Sequence, residues 1–242
     1  MITLYSGTQP MGQGIATSYL QIFSEQLQIP VKQLKVVQGD TDLVEGHGSV
    51  GSRSLFVGGN AILRGVEDFL EECKQLAASE LEASIEDLEY HQGNFQVKGT
   101  RVGIGIFDLC SRQSGNSISV KRKKELTGRS WPNGCHVAEV EIDGETGEVR
   151  LDRYVSVDDV GNTVNPMIVH GQVQGGIASG LGQAVLERTE YDSSGQLLSG
   201  SYMDYALPRA DDMPSLSGSL FEKAPCLTNP LGAKGTGEIG AL

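Results

Sequence analysis

Cationic charge is scarce in this sequence: 19 lysines and arginines stand against 31 aspartates and glutamates, a formal net charge of −12. A field of that sign repels phosphate backbones and anionic membrane surfaces, so nucleic acid is excluded as a partner and any anionic ligand falls to local amides and a few cations. None of the four cysteines, Cys73, Cys110, Cys135 and Cys226, stands at C-x-x-C spacing, and His47, His91, His136 and His170 do not cluster with them. That pattern excludes a zinc site, an iron–sulfur cluster and a disulfide framework on this chain, assigns no direct metal ligand, and points to a reducing compartment. No apolar run approaches the roughly 18 residues that a membrane span needs, and the N-terminus carries no signal-peptide pattern, so the expectation is a soluble, cytoplasmic chain.

Glycine, by contrast, is abundant: 32 of 242 residues, well above the usual share of about 7%. The glycines are not a linker tract. They gather at Gly12–Gly14, Gly46–Gly59, Gly171–Gly182 and Gly232–Gly240, each beside a patterned segment, as tight turns or backbone brought close to a ligand would require. With 38% hydrophobic and 21% charged residues, the chain is long enough and apolar enough to bury a substantial core.

The periodicity predicts a strand over Met1–Tyr5, the Gly12-Gln13-Gly14 turn, and a helix whose apolar face is Ile15, Tyr19, Ile22, Phe23 and Leu27. Pro30 closes that helix, and Leu34–Gln38 reads as a second strand before a polar, glycine-rich stretch from Gly39 to Ser54. Ile62, Val66, Phe69, Leu70, Cys73 and Leu76 form one face of a second helix. A turn at Gln92-Gly93-Asn94 and a short helix over Ile106–Cys110 follow, and the Lys121–Lys124 run reads as a solvated strand or loop. Val137–Ile142 and Val149–Val157, joined by Gly144-Glu145-Thr146-Gly147, predict a β-hairpin, and a glycine-rich helix is expected from about Asn165 to Glu187. Gly12-Gln13-Gly14 and Gly171-Gln172 both stand near a helix start, which suggests two copies of one unit. The turn-rich break at Gly128–Gly134 places the boundary near residue 130. The fold class expected is α+β, with two related mixed α/β units, residues 1–130 and 131–242, packed together.

Four stretches together carry a family resemblance. They are Met11-Gly12-Gln13-Gly14 with Thr17; Gln38-Gly39-Asp40-Thr41 through Gly51-Ser52-Arg53-Ser54 to Gly58-Gly59-Asn60-Ala61; Val137-Ala138-Glu139-Val140 through Asp159-Val160-Gly161 and Asn165-Pro166 to Gly171-Gln172-Val173-Gln174-Gly175-Gly176; and Lys234-Gly235-Thr236-Gly237-Glu238. In order and spacing they resemble the C-terminal half of the large, molybdopterin-binding subunit of molybdenum hydroxylases, the superfamily of xanthine dehydrogenase, aldehyde oxidase and carbon monoxide dehydrogenase. The resemblance implies a chain that binds molybdopterin cytosine dinucleotide with its molybdenum and oxidises a carbon centre with water-derived oxygen. It implies that Gly12, Gln13, Gly14, Gly51, Ser52, Arg53, Ser54, Gln172, Lys234 and Gly235 contact that cofactor. Residue chemistry agrees, because glycine amides approach phosphates closely, Gln13 both donates and accepts, and the Arg53 fork with the Ser52 and Ser54 hydroxyls suits an oxyanion. Taken singly, Gly-Gln-Gly also reads as a turn leading into a helix, Gly-Ser-Arg as a polar loop and Gln172 as a solvated helix start.

By the same resemblance Glu238 is the general base that takes a proton from the molybdenum-bound hydroxyl, whose oxygen then attacks an electron-poor carbon. The partners it implies are an N-terminal half of the large subunit, an iron–sulfur small subunit, an FAD-bearing medium subunit and a small-molecule substrate. The iron–sulfur clusters and FAD lie on those partners. The rival expectation is a noncatalytic cofactor-binding or assembly fragment in which Glu238 is idle. A phosphate-loop nucleotide binder is excluded, because Gly232–Thr236 lacks the P-loop spacing.

Overall fold

The computed structural model describes residues 1–123 and 128–239, and within the Lys121–Lys124 run Lys124 lies outside the described residues. Lys121, Arg122 and Lys123 are exposed and irregular. The fold is α+β, and the chain separates into two compact units, Met1–Gly128 and Arg129–Leu242.

In the first unit β1 (Ile2–Ser6) and β2 (Leu34–Gln38) pair in parallel, with Ile2 opposite Leu34 and Ser6 opposite Gln38, and α1 (Ile15–Leu27) makes the crossover. All five residues of the α1 face are buried, Tyr19 and Leu27 completely. A π-helical turn, Ser54–Gly59, leads into α2 (Asn60–Glu80), which packs on α1. Ile62, Val66 and Cys73 are buried as their spacing predicts, and Leu63, Ala77 and Ala78 join them while Phe69, Leu70 and Leu76 are half-buried. β3 (Leu88–His91), β4 (Asn94–Val97) and β5 (Gly103–Gly105) form an antiparallel sheet, with the Gln92-Gly93 turn at its first corner and α3 (Ile106–Arg112) after it. Phe95 and Leu109 have no exposed surface, and each such side chain contributes about 1.5–3 kcal/mol of burial.

The second unit is built on a long hairpin. β6 (Asn133–Ile142) and β7 (Val149–Asp159) pair antiparallel with a bulge between Glu139 and Val140. β8 (Leu216–Leu220) joins β7 in parallel, and α4 (Pro166–Leu181) lies between β7 and β8 in the chain. Val169, Val173 and Ile177 of α4 pack with Val160, and Tyr154, Met213, Leu216, Leu220 and Ile239 flank that cluster.

Two sequence expectations are corrected here. The glycine-rich helix is α-helical only to Leu181 and widens into a π-helical turn, Gly182–Leu186, before Glu187. The expected break over Gly128–Gly134 ends early, because Asn133 and Gly134 already pair with Asp159 and Asp158. Both units carry a β-α-β crossover, but Gly14 caps α1 from outside whereas Gly171-Gln172 lies inside α4, about one and a half turns from its start.

Candidate functional site

In the first unit two glycine-rich loops are laced together. Gly48 donates its amide to the Gly7 carbonyl (3.2 Å), and Ser49 Oγ exchanges hydrogen bonds with the Gln9 backbone, accepting at 3.0 Å and donating at 2.5 Å. Gln13 folds back on its own loop, accepting from the Met11 amide (2.6 Å) and donating to the Gln9 carbonyl (3.1 Å). Gly12 and Gly14 hold left-handed φ of 90° and 72°, and Gly14 begins α1 without a side-chain cap or an acidic residue in the first turn. Among the described residues no side chain therefore caps the first amides of that 13-residue helix, the polarity an anion takes up.

The second loop brings Gly51-Ser52-Arg53-Ser54. Ser52 is left-handed at φ 52°, and its hydroxyl is buried with no partner among the described residues. Arg53 is exposed, with Nε donating to the Val50 carbonyl (3.3 Å). An orphaned buried hydroxyl, an exposed guanidinium and uncapped helix amides make a donor set that fits an anionic, hydrogen-bonding ligand.

One residue that holds these loops was hidden from sequence reasoning. Tyr19 reads as a core aromatic, and its ring is fully buried, but its hydroxyl donates to the Ser54 carbonyl (2.6 Å) and accepts from Thr8 Oγ1 (3.1 Å). Gln38 donates to the same Thr8 hydroxyl (2.7 Å), so one relay runs from β2 through the Gly7–Gly14 loop and α1 to Ser54. Burial pushes the Tyr19 phenol up to about 12, against smaller opposing effects of Thr8 and Ser6. The hydroxyl is thus a neutral strut. Only its helical spacing was visible in the sequence, and that spacing cannot tell a phenylalanine role from a tyrosine one.

In the second unit Gln172 is half-buried on α4, and the helix surface at Gly171 and Gly175 is open, with no atom within 4 Å of where a Cβ would stand. The Lys234–Glu238 segment lies against the end of β7. Lys234 Nζ meets Asp159 Oδ2 at 2.6 Å with both side chains nearly buried, and the Gly235 amide donates to Ser130 Oγ (3.3 Å). The Lys234 ammonium is therefore engaged by this chain's own carboxylate. Glu238 is exposed, in a turn closed by the Ile239 amide on the Thr236 carbonyl (3.3 Å).

A second polar cluster was also missed. His136 on β6 bridges Tyr154 (Nδ1 to hydroxyl, 3.0 Å) and the buried Asp158 (Nε2 to Oδ1, 2.8 Å), both on β7. Only the strand register places these residues side by side.

A family model described as "Molybdopterin cofactor-binding domain" matches residues 1–214. The gamma subunit of the 6-hydroxypseudooxynicotine dehydrogenase complex of Paenarthrobacter nicotinovorans is 33% identical over all of this chain and 32% of its own length. The carbon monoxide dehydrogenase large chain of Hydrogenophaga pseudoflava is 33% identical over 96% of this chain and 30% of its own length. The crystal structure of the Cu,Mo-CO dehydrogenase in its carbon monoxide reduced state superposes with a TM-score of 0.85 at 30% identity, over 99% of this chain and 31% of that one. The chain thus spans about a third of the length of these relatives. The family model stops short of Lys234–Glu238, whereas the match to the Paenarthrobacter subunit extends over the whole chain.

Proposed function

Because the chain belongs to the molybdopterin cofactor-binding domain family of the molybdenum hydroxylases, we propose that it supplies part of the cofactor cradle and the general base of such an enzyme. The observation that carries this reading is the Thr236–Ile239 turn, which leaves the Glu238 carboxylate exposed while the residues before it are fastened to the end of β7.

The cofactor in this reading is molybdopterin cytosine dinucleotide. Gly12, Gln13 and Gly14, with the uncapped amides of α1, hold phosphate oxygens, and Gly51, Ser52, Arg53 and Ser54 hold a further anionic or carbonyl oxygen. Gln172 offers an amide that both donates and accepts, whereas Lys234 and Gly235, whose ammonium and amides are engaged within the chain, have backbone carbonyls to turn to the cofactor. When bound, the cofactor supplies the two-electron chemistry and the water-derived oxygen. Glu238 accepts the proton that must leave for that oxygen to react, and Gly237 beside it adds no bulk.

The substrate class is a small molecule with an electron-poor carbon, as in aldehydes, purines, other heterocycles or carbon monoxide, and electrons leave to iron–sulfur and FAD partners. The nearest partner is the remainder of a large chain, since the relatives are about three times longer. The hairpin is in keeping with this: Val140 and Ile142, which share one face of β6, are 51% and 62% exposed.

Oxygen-isotope labelling tests the reaction class. The chain co-expressed with large-, medium- and small-subunit partners, given aldehydes, purines and N-heterocycles with a dye acceptor in ¹⁸O-water, is expected to place ¹⁸O on the oxidised carbon. Label arriving from dissolved oxygen instead of water contradicts the reading.

A further inference from the structure

The Lys-Gly-Thr-Gly-Glu segment is held at both ends, at its front by a residue 75 positions earlier in the chain. At its front, Lys234 Nζ lies 2.6 Å from Asp159 Oδ2, with side-chain exposures of only 9% and 12%. The other carboxylate oxygen of Asp159 accepts the Gly161 amide (3.0 Å), so Asp159 is itself fixed by the turn that follows β7. The backbone repeats the attachment. The Lys234 amide donates to the Val160 carbonyl (2.8 Å), the Asn162 amide donates to the Gly232 carbonyl (3.0 Å), and Gly161 and Ala233 form an antiparallel bridge. That bridge requires glycine at 161, where φ is +67° and a Cβ would stand 2.1 Å from the Gly232 oxygen. At the far end Ile239 packs against the Val160, Val169, Val173 and Ile177 cluster. Glu238, with Gly237, is exposed between two anchors.

Two nearly buried charges at this spacing are costly to desolvate, and such a pair is weak evidence for net stability. What it provides is direction, since a salt bridge closed by further hydrogen bonds permits few arrangements of the segment that carries it. We propose that Asp159 and Lys234 are positioning residues: their ion pair locks the Ala233–Gly235 segment onto the end of β7 and so sets where Glu238 stands. This rests on the reading of Glu238 as the base. It moves the Lys234 ammonium from the cofactor to Asp159, and the Lys234 and Gly235 amides are likewise taken, by the Val160 carbonyl and Ser130 Oγ.

The test uses this chain alone and needs no cofactor. Hydrogen exchange by mass spectrometry compares peptides covering 228–239 with peptides covering β6 and β7, in the unaltered chain and in Lys234→Met, Asp159→Asn, Lys234→Arg and the Lys234→Met/Asp159→Asn double variant. In Lys234→Met and Asp159→Asn, exchange over 228–239 is expected to quicken about tenfold or more while the hairpin is unchanged. Lys234→Arg keeps a cation at the site and is expected to restore most of the protection. The double variant leaves no unpaired buried charge, so it folds even if a single one does not, and its loop is still expected to exchange faster. Unchanged exchange over 228–239 overturns the proposal, and so does an equal gain across the hairpin, which would make the pair a general prop of the unit. Glu238→Gln serves as the independent arm. It is expected to leave exchange alone and to lower turnover in the assembled enzyme by about a hundredfold or more. Should the loop respond as expected while Glu238→Gln stays fully active, the pair holds the turn and it is the reading of Glu238 that fails.

Discussion

Replacing Glu238 by glutamine in the assembled enzyme is expected to lower kcat by about a hundredfold or more, the usual worth of a positioned general base, while molybdenum and nucleotide content stay at the unaltered level. The substitution keeps size and hydrogen-bonding capacity and removes only the ability to take a proton. Glu238 stands exposed between two anchored residues, so the change is not expected to disturb the fold. A base that acts on the reaction rather than on substrate binding lowers kcat and kcat/KM together. Parallel loss of both at constant cofactor content is therefore the expected signature. Full turnover in the glutamine variant removes Glu238 from the chemistry and favours a noncatalytic role for this segment.

The largest effect on stability is expected at His136. Its Nε2 is the hydrogen-bond partner of Asp158 Oδ1 at 2.8 Å, and the Asp158 side chain is 2% exposed. His136→Ala leaves that carboxylate buried without this partner and also removes the edge contact with the Tyr154 ring, whose centroid lies 5.7 Å away. Stripping one member from a buried pair costs about 3 kcal/mol or more. In urea the transition of the second unit is then expected to move down by roughly 1–1.5 M, at a slope of about 2–3 kcal/mol/M. His136→Gln, which still offers a donor to Asp158, is expected to lose less than half as much. Equal losses in both variants assign the effect to packing instead of to the carboxylate.

The periodic parts of the fold were legible from sequence. The α1 face from Ile15 to Leu27, the bounds of β2 and the β6–β7 hairpin all follow from spacing, because apolar burial dictates them locally. β8 was not legible: Leu216-Ser217-Gly218-Ser219-Leu220 has little strand character, and its pairing with β7 creates it. Gly134 reads as a turn residue but serves a close approach, since a Cβ there would lie 2.9 Å from Asp158 Oδ1. The candidate site motifs are marked in the sequence by resemblance, whereas the groups that hold them are not. Tyr19 to Ser54, His136 to Asp158 and Lys234 to Asp159 join residues 35, 22 and 75 positions apart, and only tertiary structure creates such pairs. Lys234 shows the difference plainly: its motif suggested a cofactor contact, while its ammonium sits on Asp159.

Molybdenum and released nucleotide, quantified in the purified chain alone and after co-expression with the remaining large-subunit polypeptide and the medium and small subunits, test the central claim most directly. The account predicts molybdenum and cytidine monophosphate in equal amounts, close to one per chain, in the co-expressed assembly. A stable assembly that contains neither would contradict it, and guanosine monophosphate in place of the cytidine nucleotide would contradict the dinucleotide form assigned to the cradle.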